Sequence, residues 1–435
     1  MKYHNPIITG FHPDPSVCRV GNDFYLVNSS FEYFPGIPIY HSTDLTHWEQ
    51  IGHVLDRKNQ LKLVSGAPNC LGIYAPTIRY HEGIFYCIVT NVGGRSGGNF
   101  FVYTTDPYGR WSNPVKLPFA GIDPSLFFDE DGRIYYTGTD TGIYIAEITF
   151  DVVRNDTPKR NELPVSIQNV KCGEKHYIWN GSGGNNPEGP HLYRIHDMYY
   201  LMIAEGGTEY CHMVTIARSK NVYGPYEACP HNPVLSNRST CLNIKAIGHA
   251  DLVEDSQGSW WAVCLGIRPL GYPFRHNLGR ETMLAPVKWE NGWPVMGDNG
   301  TVTETFEVET APGKKTRKSD FYIPGSNMTD TFCSNKLHPS WNTIYTPVSK
   351  FVKPTKQGLS LCAHDTTLSD DKPKAILVRR QEHFHFTATA TLTLESVNAG
   401  SEAGITIYMN NRHHYEAALS TVGNGEYFLI LRRRI

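Results

Sequence analysis

Three acidic residues stand in short, proline-flanked motifs: Asp14 in HPDPS, Asp123 in GIDPS and Glu188 in NPEGP. Carboxylates in such a set are the equipment for cleaving a glycosidic bond. One protonated acid serves the leaving oxygen, and one ionised carboxylate acts on the opposite face of the sugar. The two need different proton affinities, which different surroundings supply. A third carboxylate holds the acid's pKa up by like-charge repulsion and orients it. Asp-Pro-Ser at the head of a strand is also an ordinary turn element, because Asp caps the turn and Pro fixes φ. Two copies plus PEGP, all at one phase of a repeat, exceed what turn chemistry requires. Glu188 is held rigidly between prolines and precedes an apolar strand rather than capping a helix.

That phase belongs to an internal repeat. Five segments share a polar signature, an alternating run, a turn and an aromatic strand: DPSVCRVGNDFYLVNSS from Asp14, APTIRYHEGIFYCIVTN from Ala75, DPSLFFDEDGRIYYTGT from Asp123, EGPHLYRIHDMYYLMIAEG from Glu188 and HADLVEDSQGSWWAVCLG from His249. Their starts lie roughly 50–65 residues apart, the range of a four-stranded propeller blade with its loops. Turns centred on Gly, Asn or Asp join the first two strands of each, and the period is two almost throughout. The expected fold class is therefore all-β, a five-bladed β-propeller. Its innermost strands begin at one rim of a central channel, so Asp14, Tyr74 and Ala75, Asp123, Glu188 and His249 should converge on one funnel.

The 435 residues exceed what one compact core usually holds. After Val295 the pattern changes. PGKKTRKSD is basic and aperiodic, and DTFCSNKLHPSWN, ILVRRQEHFHFTATATLTL, GITIYMNNRHHYEAAL and YFLILRRRI alternate like strands of a β-sandwich. The expected division is a propeller over 1–311, a linker over 312–320 and a sandwich over 321–435. The last run ends at Ile435, so the sandwich reads as cut short.

Lys plus Arg number 40 against 42 Asp plus Glu, so no global charge draws the chain to nucleic acid or an anionic membrane. No run approaches the ~20 apolar residues of a spanning helix. The N-terminus carries no apolar signal core, the ten cysteines form no Cys-x-x-Cys pair, and several sit in apolar strands. These features are expected of a cytoplasmic protein without a thiolate metal site. The 25 Tyr, 19 Phe and 8 Trp suit a carbohydrate ligand, whose C–H faces stack on rings, but many sheet proteins are equally aromatic.

FHPDPSVCRVGNDFYLVNSSFEYFPGIPIYHS, GIDPSLFF, PEGPHLY, GHADLV and LGRETMLAPV together resemble family 43 glycoside hydrolases, the β-xylosidase and α-L-arabinofuranosidase group, over about the first 300 residues. The later region resembles the β-sandwich of the xylosidase branch, which in some members helps close the pocket. The resemblance implies an inverting exo-glycosidase that releases D-xylose from the non-reducing end of β-1,4-xylo-oligosaccharides, with α-L-arabinofuranosidase activity as the alternative. In its terms Asp14 is the general base, Glu188 the general acid and Asp123 the residue that tunes and orients the acid. Arg280 holds the terminal sugar's hydroxyls, and His249 is the channel histidine. Phe31 and Tyr74 are candidates for the pocket wall. Tyr74 stands where many xylosidases of the family carry Trp, which keeps arabinoxylo-oligosaccharides open as substrates. No cofactor is required. A Ca²⁺ in the channel, as in some members, stays open, although no acidic loop supplies its six to eight oxygens. Related enzymes often form dimers or tetramers, which leaves a homo-oligomer open.

Retaining fructosidases share the propeller, but their Asn-Asp-Pro-Asn, Arg-Asp-Pro and Glu-Cys motifs do not match HPDPS, IDPS and PEGP. A non-catalytic sugar-binding propeller would tolerate loss of one acid, and all three are present.

Overall fold

The structure is a computed structural model that describes residues 1–63, 69–93, 97–309, 321–334, 336–347, 350–395 and 398–435. The expected linker, 312–320, lies outside the described residues. Among them there is no α-helix.

Five antiparallel sheets follow one another along the chain. Each is led by an innermost strand: Ser16–Val20, Thr77–His81, Ile122–Phe128, Glu188–Ile195 and Lys245–Glu254. Each of these pairs with the next strand through a short turn, as Ser16–Val20 does with Asp23–Val27. The innermost strands neighbour one another in a closed ring, first to second, on to fifth, and fifth back to first. This is the expected five-bladed propeller.

The hydrophobic clusters lie between blades. Ile39, Ile78, Cys87 and Val102 fill the junction of the first and second, and Tyr86, Leu126 and Tyr136 that of the second and third. Ile145, Leu192 and Leu201 fill the junction of the third and fourth. Because both faces of a blade are covered, middle strands such as Trp260–Ile267 are buried almost throughout. The ring is closed by the N-terminus, where Lys2–His4 pairs with Thr305–Glu307 and Tyr3 Oη donates to the Leu284 carbonyl at 3.1 Å.

Below the rim, every innermost strand contributes to one buried polar knot. Asp251 accepts Arg79 Nη1 at 2.7 Å, Arg79 Nη2 at 3.1 Å, Tyr193 Oη at 2.6 Å, Ser16 Oγ at 2.6 Å and the Val17 amide at 3.1 Å. Arg79 Nη2 also reaches His191 Nδ1 at 3.0 Å, which lies 3.3 Å from Ser125 Oγ.

The C-terminal region bears on the first blade. Thr343–Ile344 pairs with Tyr33–Phe34, and Arg380 Nε donates to the Phe11 carbonyl at 2.6 Å. Its largest sheet has three strands, Glu402–Asn410, His413–Gly423 and Glu426–Arg434. Two expected strand runs fail here: Asp330–Asn342 carries no strand among its described residues, only the bridge at Asn342. The alternating run Ile376–Leu394 forms no ladder and makes only the bridge of Val378 to Asn342. Alternation supplies side chains for two faces, but a strand also needs a neighbour's N–H and C=O groups, and none is aligned beside this run among the described residues.

Candidate active site

The heads of the innermost strands are distorted in a recurring way. Asp14, Asp123, Gly189 and His249 all have positive φ, between 47° and 60°. Ladder registers slip between Ile122 and Ser125, between Glu188 and His191, and twice between Lys245 and Asp251. Bulges of this kind re-aim side chains, and here they turn the strand heads toward the channel. Positive φ is tolerated by Asp better than by most residues. At Gly189 it coincides with crowding, since a Cβ would stand 3.0 Å from His249 Cε1.

The result joins the residues that the repeat phase singled out. Ligand atoms of Asp123, Glu188 and His249 all lie within 4.8 Å of one another. Asp123 Oδ2 accepts the Gly189 amide at 3.1 Å, so the second carboxylate is tied to the residue after the third. Asp14 Oδ1 accepts Arg280 Nη1 at 2.7 Å, and its other oxygen accepts Ser29 Oγ. Phe31 and Tyr74 sit side by side with ring centres 5.5 Å apart, held by paired backbone bonds between Phe31 and Ile73. The Arg280 guanidinium lies 5.4 Å from the Phe31 ring.

Electrostatics divides the acids. Burial raises the pKa of Asp14, but Arg280, His249 and Ser29 outweigh it and the net direction is down. Glu188 is pushed up to about 7, by burial first and then by Asp14, against the opposing pull of Arg280. Asp123 is raised well above the ordinary carboxylate value by burial, by Glu188 and by Asp14. Asp123 and Glu188 therefore behave as a like-charge pair that retains a proton near neutrality, while Asp14 is ionised. Burial, the largest influence on His249, lowers its pKa and favours the neutral ring.

Several residues at the site carried no signal in the sequence. Ser29 lies at the end of a neighbouring strand, and Phe11 stacks on Phe31 at 5.6 Å. Phe11 can approach because position 279 is Gly, where a Cβ would stand 2.6 Å from its ring. His212 is buried, and the charges of His249 and Asp14 both bear on it. Glu205 is fully buried and accepts the Ser182 amide at 2.7 Å, the Gly184 amide at 2.6 Å and Thr215 Oγ1 at 2.6 Å. It thereby anchors the loop that leads into Glu188. Arg79 and Asp251 lie further along two of the innermost strands, beneath the site.

The arrangement offers a base, a proton donor and an aromatic wall around one space. Two carboxylates and an imidazole fall short of the six to eight oxygens that calcium takes, so the cluster suits proton transfer better than that ion.

Known proteins resemble this chain along its length. Residues 329–435 match the Beta xylosidase C-terminal Concanavalin A-like domain. The chain is 42% identical, over its whole length and 78% of the relative, to a non-reducing end α-L-arabinofuranosidase of Bacteroides ovatus. It is 40% identical to a xylosidase/arabinosidase of Butyrivibrio fibrisolvens over 95% of this chain and 79% of that one. The solved structure of a xylan β-1,4-xylosidase from Bacillus halodurans superposes with a TM-score of 0.81 at 31% identity, covering 99% of this chain and 82% of the other. Residues 3–294 match the model of Glycosyl hydrolases family 43, and the chain belongs to that family.

Proposed function

We propose that the protein is an inverting exo-glycosidase that releases D-xylose from the non-reducing end of β-1,4-xylo-oligosaccharides. The observation that carries the reading is the split between the acids: Arg280 and its neighbours keep Asp14 ionised, while burial and like charge keep a proton on the Glu188 and Asp123 pair. Asp14 takes a proton from water as that water attacks the anomeric carbon. Glu188 gives its proton to the leaving oxygen. Asp123, fixed by the Gly189 amide, keeps that proton in place until the bond breaks. Arg280 holds the terminal sugar's hydroxyls beside the wall of Phe31 and Tyr74, with His249 lining the floor.

A second reading is favoured by the arabinofuranosidase name of the 42% identical relative and by Tyr74 in the wall: α-L-arabinofuranosides as the main substrates, drawn from arabinoxylo-oligosaccharides. We further propose the catalytic unit as 1–311, the appended one as 321–435, and a cytoplasmic location supported by ten unpaired thiols, which cell fractionation checks.

The test is release of nitrophenol from the aryl β-xyloside and the aryl α-L-arabinofuranoside, with proton NMR of the first-formed sugar. β-Xylose appearing first from a β-xyloside would sink inversion. Sugar binding by calorimetry without turnover of either substrate would leave a non-catalytic propeller.

A further inference from the structure

Two loops rise from the rim that carries Glu188 and His249. Glu188 pairs with Ala204, and Lys245 pairs with Ile267, so the chain that follows each partner strand leaves the sheet on the catalytic side. The first loop, 206–212, passes close to the acid's own loop, since a Cβ on Gly207 would lie 3.1 Å from Asn186 Nδ2. The second, 268–280, runs down into Arg280.

These loops meet through aromatic rings. Tyr210 and Phe274 have ring centres 5.2 Å apart, and Tyr210 Oη donates to the Phe274 carbonyl. Tyr272 meets Phe274 edge-on at 5.8 Å, and Lys245 Nζ stands 5.2 Å from the Phe274 ring. The lip is tethered: the Leu270 amide bonds the Arg275 carbonyl at 2.7 Å, and Arg268 grips buried Glu281 at 2.6 and 2.8 Å. Yet Tyr272 is 90% exposed and Leu270 60%. Exposed rings held rigidly on the catalytic side of the fold suit a binding surface.

Its place in the fold says which part of a substrate reaches it. The general acid protonates the leaving oxygen, so the departing chain lies on the side of Glu188. The lip spans the fourth blade, which carries Glu188, and the fifth. We propose that Tyr210, Phe274 and Tyr272 form an aromatic rest for the leaving-group sugars, with the Tyr272 ring stacked on the C–H face of a pyranose beyond the cut bond. This rests on the hydrolase reading above. It adds a preference for long oligosaccharides, which the terminal-sugar pocket cannot itself provide.

The test compares kcat/KM for xylotetraose with kcat/KM for the aryl β-xyloside. If only the aryl arabinoside is cleaved, arabinofuranosyl xylotetraose takes the place of xylotetraose. Tyr272→Leu should lower the ratio about tenfold, mostly through KM, the scale of one lost stacking contact. Tyr272→Phe should keep the ratio within about twofold, because the stack needs the ring and not the hydroxyl. An unchanged ratio in Tyr272→Leu overturns the proposal. So does an unchanged ratio accompanied by lost self-association on a sizing column, which would make the lip a contact between copies. If neither aryl glycoside is cleaved, the hydrolase reading fails separately. Calorimetry of xylotetraose on the wild type and Tyr272→Leu then decides, with weaker binding supporting the rest and equal binding overturning it.

Discussion

The rim of the channel and the knot beneath it use the same five strands and opposite electrostatics. Both layers pair an aspartate with an arginine at 2.7 Å, Asp14 with Arg280 and Asp251 with Arg79. Asp251 is fully buried, and it also accepts a second guanidinium nitrogen, a phenol, a hydroxyl and a backbone amide. Burial raises its pKa, but Arg79, His191 and these bonds hold it far below the ordinary value. Above it, Asp123 has a single backbone donor, and no hydrogen bond to the Glu188 carboxylate forms among the described residues. Their pKa values go up. A buried carboxylate stays ionised when cations and donors engage it, as Asp251 and Asp14 do, and holds a proton when they are wanting, as the Asp123 and Glu188 pair does.

The largest effect should come from the layer with unfilled acceptors. Glu188→Gln should lower kcat on xylobiose by about 10²- to 10⁴-fold, the range of general acid catalysis, with a far smaller loss on activated aryl glycosides. Steady-state kinetics on both substrates checks this, and equal losses would contradict the acid's role. In the knot, Arg79→Leu leaves Asp251 buried without its cation and should cost about 3–5 kcal/mol of stability, read from denaturant unfolding. A cost near zero would erase the distinction between the layers.

Arg280→Leu tests the rim's own ion pair. Without that guanidinium, burial dominates Asp14, whose pKa rises, so the acidic limb of the kcat/KM profile should move to higher pH. The alkaline limb, set by Glu188 near pH 7 in the wild type, should move up as well, because Arg280 also pulls Glu188 down.

The smallest effect concerns stability. Glu188 is raised from 4.5 to about 7 on folding, so its stabilising share is full below 4.5 and is lost as pH rises through 7. Glu188→Gln carries no such loss. Its melting temperature should gain on the wild type by a few degrees between pH 4.5 and 7.5, measured by calorimetry.

Much of this arrangement is legible in the sequence because the repeat sets a phase. Asp14, Asp123, Glu188 and His249 share it, and a ring of blades must bring one phase to one rim. Arg79 and Asp251 stand further along two of the same innermost strands, and position along a strand says nothing about which layer is saturated. Ser29, Phe11 and Glu205 act across hairpins and loops, where spacing follows turn lengths that carry no period. The run Ile376–Leu394 shows the opposite fault. Its alternation is as clean as any in the propeller, but strand formation depends on a partner that the run itself does not encode.

The contact between Asp14 and Arg280 spans 266 positions and joins the first blade to the last strands of the fifth. During synthesis, a nascent chain has Asp14, Asp123 and Glu188 outside the ribosome well before the cation that keeps the base ionised. Activity therefore cannot grow blade by blade. The base and the cation that keeps it ionised lie side by side only where the first blade meets the fifth, so the site needs the whole ring in place.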